Sequence, residues 1–253
     1  MSPLMIALLF LAGFGGGFVD AIAGGGGLVT VPALLACGLP VRVALGTNKL
    51  QSSCGTLVAV LRYARAGLMR TPWLWLAAAG SFFASMGGAW AISSMDPAAL
   101  KKIIPWMLAA VGIYTALNPR FGLRPARERV APVVFALATG ITLGFYDGFF
   151  GPGTGSFWMV TCVALLGLDL RTATGYTKAA NLASNLGSLV IFIWKDSVNY
   201  PAALAMIAGQ LFGARLGSGY AIRHGAKIIR PVFLLIVFAL TAKLLWDAMR
   251  TVR

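Results

Sequence analysis

Four ionisable side chains, Asp20, Lys49, Asp147 and Lys178, lie inside otherwise apolar stretches of this 253-residue chain. A charge at the centre of a membrane helix costs roughly 2.5–3.5 kcal/mol on insertion scales, so residues of this kind are paired or functional. Two readings are open. In one, Asp20 bridges to Lys49 and Asp147 to Lys178, each bridge bracing its own half of the chain. In the other, the lysines face a shared cavity and hold an anion, while the aspartates pair with them or carry protons. Polar neighbours favour the second reading. Thr47, Asn48, Gln51, Ser52 and Ser53 crowd the first lysine; Thr177, Asn181, Ser184 and Asn185 crowd the other. Lys178, Asn181 and Asn185 follow i, i+3, i+7 spacing and share one helix face, as do Asn48 and Ser52 at i, i+4. Ammonium and amide groups inside a membrane suit a multi-oxygen anion; they also suit hydrogen bonding between helices.

Two glycine runs accompany these residues, Gly24-Gly25-Gly26-Gly27 and Gly151-Pro152-Gly153-Thr154-Gly155. Glycine costs about 1 kcal/mol and proline about 3 kcal/mol relative to alanine in a helix interior, so both runs break helices. Unwound backbone at membrane depth survives only where protein buries it or water wets it. The helix restarting after each run directs its free N–H groups and positive dipole end at the break, which makes Gly25, Gly26, Gly153 and Thr154 candidate anion contacts. A tight turn for close packing is the competing explanation.

Other chemistries find little support. His224 is the only histidine, and Cys37, Cys54 and Cys162 stand far apart, so a metal site or disulfide framework is not expected. Without HExxH or GxSxG, an intramembrane enzyme lacks its nucleophile–base or metal constellation. No cofactor is expected.

The elements that must position these residues are membrane helices. The chain is 58% hydrophobic and 11% charged, against roughly 25% charged in soluble domains. Segments 1–19, 21–41, 71–95 and 148–168 contain no charged residue or histidine. A bilayer core needs about 20 apolar residues of helix, so several of these segments can span it. The net charge of +14 fits basic membrane loops better than nucleic-acid binding.

The chain also repeats itself. Gly17-Phe18-Val19-Asp20 recurs as Gly144-Phe145-Tyr146-Asp147 at an offset of 127, while Lys49, Ser52 and Leu57 recur as Lys178, Asn181 and Leu186 at an offset of 129. Each half reads as five elements: near 3–22, 27–38, 43–62, 72–92 and 98–118, then 130–149, 155–167, 173–194, 200–221 and 228–247. The short second element either returns as a re-entrant hairpin or makes a short tilted crossing. Either way each half has an odd number of crossings, which inverts the second half. The expected fold is thus an all-α polytopic membrane protein of two inverted-topology repeats, 1–119 and 130–253, joined by a basic linker at 120–129. Eleven basic residues fall on one side, led by Arg62, Arg65, Arg124, Arg127, Arg129, Arg171 and Arg223, and six on the other. Placing the richer side in the cytoplasm puts both termini outside. Small-residue stripes at Gly80, Ala84, Gly88 and at Gly209, Gly213, Gly217 read as helix-packing surfaces. Inverted repeats with glycine-interrupted elements are the hallmark of secondary transporters, whose sites lie where the repeats meet.

The passage from Gly17 to Gly27, followed by Val31-Pro32 and Ala44-Leu45-Gly46-Thr47-Asn48-Lys49, resembles the first signature of the TauE/SafE-type sulfite exporter family. Asp147 to Gly155, then Thr177-Lys178 and Asn181-Leu182-Ala183-Ser184-Asn185, resembles the second. The likeness runs from about Gly13 to Asp247. It implies a multi-pass transporter of the cell inner membrane, moving sulfite, organosulfonates or related sulfur-containing or carboxylate anions with proton or sodium coupling. Gly25, Gly26, Asn48, Lys49, Ser52, Gly153, Thr154, Lys178, Asn181 and Asn185 are the expected substrate contacts, with Asp20 and Asp147 as ion-coupling candidates. A channel or exporter for a neutral or cationic sulfur metabolite is the alternative. The partners expected are the small anion and the lipid bilayer, with no nucleic acid; oligomeric state is not legible.

Overall fold

The computed structural model describes residues 1–69, 73–96, 128–225 and 227–228. The elements expected near 98–118 and 228–247 and most of the basic linker lie almost wholly outside them. Among the described residues the fold is all helix: α1 (Pro3–Ala23), α2 (Gly27–Ala36), α3 (Val41–Arg65), α4 (Trp73–Ser93), α5 (Pro132–Phe149), α6 (Thr154–Leu166), α7 (Leu170–Trp194) and α8 (Tyr200–His224).

Local chemistry sets the boundaries. Ser2, Asp169 and Asn199 cap α1, α7 and α8 through side-chain oxygens that accept from backbone N–H groups two or three residues on. Pro3, Pro132 and Pro201 occupy first-turn positions that need no N–H donor. Gly24 and Gly167 stop α1 and α6 in the left-handed region, at φ 76° and 67°.

Of these helices, α1, α4 and α5 are long and apolar enough to cross a membrane. They turn Leu4, Leu11, Trp75, Phe83, Val134 and Ile141 outward, the apolar exterior that lipid requires. The 25-residue helices α3 and α7 are equally long, roughly 37 Å. They carry the polar stripe instead and bury Thr47, Asn48, Lys49, Thr177, Lys178 and Asn181.

Helices α1 and α8 run parallel in tight contact. A Cβ on Gly209, Gly213 or Gly217 would strike the carbonyl oxygens of Phe10, Phe14 and Phe18, while Gly13 and Gly17 lie against the backbone of Met206 and Gln210. The pair α4–α5 repeats this arrangement, with Gly140, Gly144 and Gly148 on Ala77, Ser81 and Ser85, and Gly88 on Phe145. Only glycine lets backbones approach so closely. Helices α3 and α7 cross antiparallel: Gly46 meets Phe192, Lys49 meets Asn185, and Gly175 meets Leu68.

At one end of the bundle, Arg62 adjoins Gly219, the Arg129 N–H donates to Leu165, and Tyr176 at the start of α7 donates to the Trp73 carbonyl. The other end gathers Arg42 on the Met95 carbonyl and Lys195 over the rings of Trp90 and Trp194. Arg62, Arg65, Arg129 and Arg171 therefore share the first end.

The short helix α2 doubles back along α1. Gly26 packs on Gly16 and Asp20, Thr30 on Gly16, and Leu34 clusters with Leu9. The break is thus the tip of a hairpin whose returning arm of 10 residues, about 15 Å, is half a bilayer core.

Candidate functional site

The two glycine breaks meet inside the bundle. Gly24 and Gly155 lie backbone to backbone with no room for a Cβ on either, and Gly27 rests on Pro152. The Ser156 hydroxyl donates to the Ala23 carbonyl at 3.0 Å, tying the start of α6 to the end of α1. The α2 ladder begins with Leu28 N–H to Gly25 O, which leaves the N–H groups of Gly25, Gly26 and Gly27 outside it.

The ion pairs do not stay within the sequence halves. Lys49 Nζ bonds Asp147 Oδ1 at 2.9 Å, and Lys178 Nζ bonds Asp20 Oδ2 at 3.1 Å. The sequence-based pairing of Asp20 with Lys49 and Asp147 with Lys178 is therefore corrected: each lysine crosses to the opposite half. The reason is topological. α3 and α7 lie side by side at the centre, and each lysine faces the break that the other half contributes. Lys49 also donates to Asn185 Oδ1 at 3.1 Å, Lys178 to the main-chain carbonyl of Asp20, and Ser184 Oγ to Asp147 Oδ2.

Between the breaks and the polar stripe lies a small pocket. It is lined by Asp20, Gly24, Gly27, Asn48, Lys49 and Ser52 on one side and by Asp147, Gly151, Gly153, Gly155, Asn181 and Asn185 on the other. Its polar lining is rich in donors. Asn48 Oδ1 already accepts from Thr30 Oγ1 (2.5 Å) and Gln51 Nε2 (2.8 Å), and Asn185 Oδ1 accepts from Lys49. Among the described residues nothing accepts from either amide NH2 group. Ser52 Oγ accepts from Gln51, and among the described residues nothing accepts its proton. Apolar clusters flank this layer along α3 and α7, with Tyr63, Trp158 and Tyr176 toward the arginine-rich end and Leu45, Phe150 and Phe192 toward the other.

The profile of the family described as sulfite exporter TauE/SafE matches residues 9–244. The chain belongs to the TauE/SafE sulfite exporter family. It is 40% identical over 243 residues to a probable membrane transporter protein of Haemophilus influenzae, covering 96% of this chain and 95% of the relative. It is 42% identical over 254 residues to the probable membrane transporter protein ORF9 of a Sinorhizobium species, covering 98% and 95%. It is 39% identical over 248 residues to the probable membrane transporter protein YfcA of Escherichia coli K12, covering 98% and 92%. No solved structure matches. Membership makes this chain a membrane transporter.

Within this TauE/SafE chain, Asn48, Lys49, Ser52, Gly153, Asn181 and Asn185 line the pocket together with Asp20 and Asp147. Gly25, Gly26, Thr154 and Lys178 do not. Gly26 is fixed by packing on Gly16 and Asp20, the Thr154 hydroxyl turns back to the Gly151 carbonyl at 2.6 Å, and Lys178 sits fully buried behind Asp20. Sequence reasoning missed Thr30, which orients Asn48 from 18 residues away with no spacing signal. It passed over Gly24, Gly27, Gly151 and Gly155 in favour of their neighbours. In the first run a left-handed φ, 76°, marks out Gly24 alone; in the second Gly151 and Gly153 share it, at 95° and 85°.

Proposed function

We propose that this TauE/SafE-family protein is a secondary transporter of small oxyanions across the cell inner membrane. Its substrates are sulfite, organosulfonates or related sulfur-containing or carboxylate anions, coupled to an ion. The observation that carries this reading is the pocket. The leftover amide NH2 groups of Asn48 and Asn185, the Ser52 hydroxyl, the Asn181 side chain and the Lys49 ammonium converge where two broken helices begin. Hydrogen bonds to a charged acceptor contribute roughly 1.5–3 kcal/mol each, so a donor-lined pocket selects an anion with several oxygens.

Inverted topology is supported by the antiparallel crossing of α3 and α7. Each presents its lysine as the ninth residue from its own N-terminus, about 13 Å along a helix of roughly 37 Å, so the two ammonium groups approach the middle from opposite ends. Grouping Arg62, Arg65, Arg129 and Arg171 at one end supports a cytoplasmic face there and, with it, an outward N-terminus. Alternating exposure follows when the wall carrying Asn48 and Lys49 moves against the wall carrying Asn181 and Asn185.

A second reading rests on one specific observation. Lys49, Lys178, Asp20 and Asp147 cancel pairwise, so the resting pocket is neutral and suits a neutral or cationic sulfur metabolite equally well on charge alone. Flux in proteoliposomes decides. Labelled sulfite, sulfoacetate and a matched carboxylate are offered with and without an imposed pH gradient. Saturable, gradient-dependent flux that prefers one anion is expected. No anion flux from folded protein under any gradient overturns the oxyanion reading in favour of neutral or cationic cargo.

A further inference from the structure

The two crossed ion pairs look alike in sequence and differ in construction. Asp147 is clamped at both oxygens, Oδ1 by Lys49 and Oδ2 by the Ser184 hydroxyl, and Lys49 has a further acceptor in Asn185. Asp20 receives Lys178 at Oδ2, and no hydrogen bond among the described residues reaches its Oδ1. Its side chain is 11% exposed against 3% for Asp147. The difference traces to single residues of the internal repeat. At the offset of 129, Gly55 stands where Ser184 does and Thr56 stands where Asn185 does. Gly55 has no hydroxyl to offer. The Thr56 hydroxyl is buried and, among the described residues, has no partner, so it does not receive the ammonium.

Lys178 is also held in a different way from Lys49. Its ammonium donates to the main-chain carbonyl of Asp20 as well as to the carboxylate. That carbonyl belongs to the last turn of α1 and also receives the Gly24 N–H at 2.9 Å. The negative end of a helix dipole thus stabilises the ammonium independently of the Asp20 carboxylate. Neutralising Asp20 leaves Lys178 seated and charged. Neutralising Asp147 takes from Lys49 its directly bonded carboxylate.

We propose that Asp20 is the proton-coupling carboxylate of this site and that Asp147 is a fixed strut. Deprotonated Asp20 shows an unshared carboxylate oxygen to a pocket otherwise lined by donors, and that oxygen repels an anion. Uptake of one proton from the loading side turns it into an O–H donor. The four-residue charge then rises from zero to +1, and the anion restores neutrality. Release on the far side returns proton and anion together. The other charged and titratable groups facing Asp20 are Lys178 from α7 and Lys49 and Tyr63 from α3. Helices α2, α6 and α8 meet this stretch of α1 with Thr30, Ser156 and Gln210, all uncharged. This inference rests on the oxyanion reading and names its coupling ion and residue.

The test is proton counting during binding. Sulfoacetate and methanesulfonate, whose sulfonate charge is constant near neutral pH, are added to purified protein in weakly buffered solution containing a pH indicator. Affinity is measured in parallel across pH. Wild type is expected to take up close to one proton per anion, with affinity falling about tenfold per pH unit on the alkaline side of the profile. Asp20→Asn should bind with no proton uptake and no pH dependence. Should that variant fail to fold, Asp20→Glu decides: a displaced pH midpoint supports the proposal and an unchanged midpoint overturns it. Proton uptake surviving in Asp20→Asn, or disappearing in folded Asp147→Asn, also overturns it. Anion binding by wild type without a proton overturns this inference and leaves the oxyanion reading standing. Absence of any anion binding overturns both.

Discussion

Crossed pairing makes a quantitative demand on stability. Lys49 Nζ stands 2.9 Å from Asp147 Oδ1 with both side chains buried, so at an effective dielectric constant near 20 their attraction is on the order of 6 kcal/mol before desolvation. Desolvation consumes much of this, and the net value of the pair is small. Removing one partner is a different matter, because it strands a buried charge at a cost of about 3–5 kcal/mol. Asp147→Ala should therefore destabilise strongly, and so should Lys49→Met. The double variant should recover most of the loss, giving a coupling energy of several kcal/mol. Lys49→Met combined with Asp20→Ala should show a smaller coupling, since Lys178 is the direct partner of Asp20 and Lys49 acts on Asp20 only through space. Equilibrium unfolding in mixed micelles, run as two double-mutant cycles, measures both couplings. A larger coupling for Lys49 with Asp20 than with Asp147 would refute the crossed arrangement and the site built on it.

Three further outcomes follow from the geometry. Gly213→Val forces a branched side chain against the Phe14 carbonyl at the α1–α8 contact and should cost about 1–3 kcal/mol, seen as a lower unfolding midpoint with α4–α5 unaffected. Gly24→Ala combines a left-handed φ of 76° with a collision against Gly155, so folded yield and sulfoacetate flux should fall together, unlike at Gly38, which has a similar φ and open space. Asn181→Leu and Ser52→Ala each remove one pocket-facing polar group from the anion. Each should weaken sulfoacetate binding by about 1.5–3 kcal/mol, tenfold or more in Kd, with little change in thermal stability.

Much of this was legible in the residues themselves. Helix breaks announce themselves through glycine and proline cost, and charges inside apolar runs through insertion cost, so Asp20, Lys49, Asp147, Lys178 and both breaks stood out before any fold was known. The eight described helices begin and end within three residues of the expected bounds, because capping oxygens, first-turn prolines and left-handed glycines are local signals. The pairing of the charges was not legible. Asp20 and Lys49 are neighbours along the chain, and nothing local says that α3 and α7 cross so that each lysine reaches the opposite half. The same limit hid Thr30, whose role depends on α2 folding back beside α3. Gly26 and Thr154 carry the composition of a binding loop, yet Gly26 is fixed by its packing and Thr154 by its own turn.

The packing also decides which bodies can move. Continuous glycine seams join α1 to α8 and α4 to α5, and each pair takes one helix from each half of the sequence. Sliding one half past the other would break both glycine seams. The lower-cost division groups α1, α2, α3 and α8 against α4, α5, α6 and α7. It leaves both seams whole, places six pocket residues on each side, and is bridged by Lys49–Asp147, Lys178–Asp20, the Gly24–Gly155 contact and the α3–α7 crossing. Cross-linking tests this division in protein whose native Cys37, Cys54 and Cys162 are replaced. A disulfide between Phe18→Cys and Tyr220→Cys, whose native rings lie 6.3 Å apart across the α1–α8 seam, joins two helices of one body and should leave sulfoacetate flux intact. A disulfide between Ala23→Cys and Ser156→Cys, at a native hydrogen bond of 3.0 Å, joins the two bodies and should stop flux until it is reduced. Flux stopped by the first cross-link and spared by the second would show that the moving units are the sequence halves, with the glycine seams as the sliding surfaces.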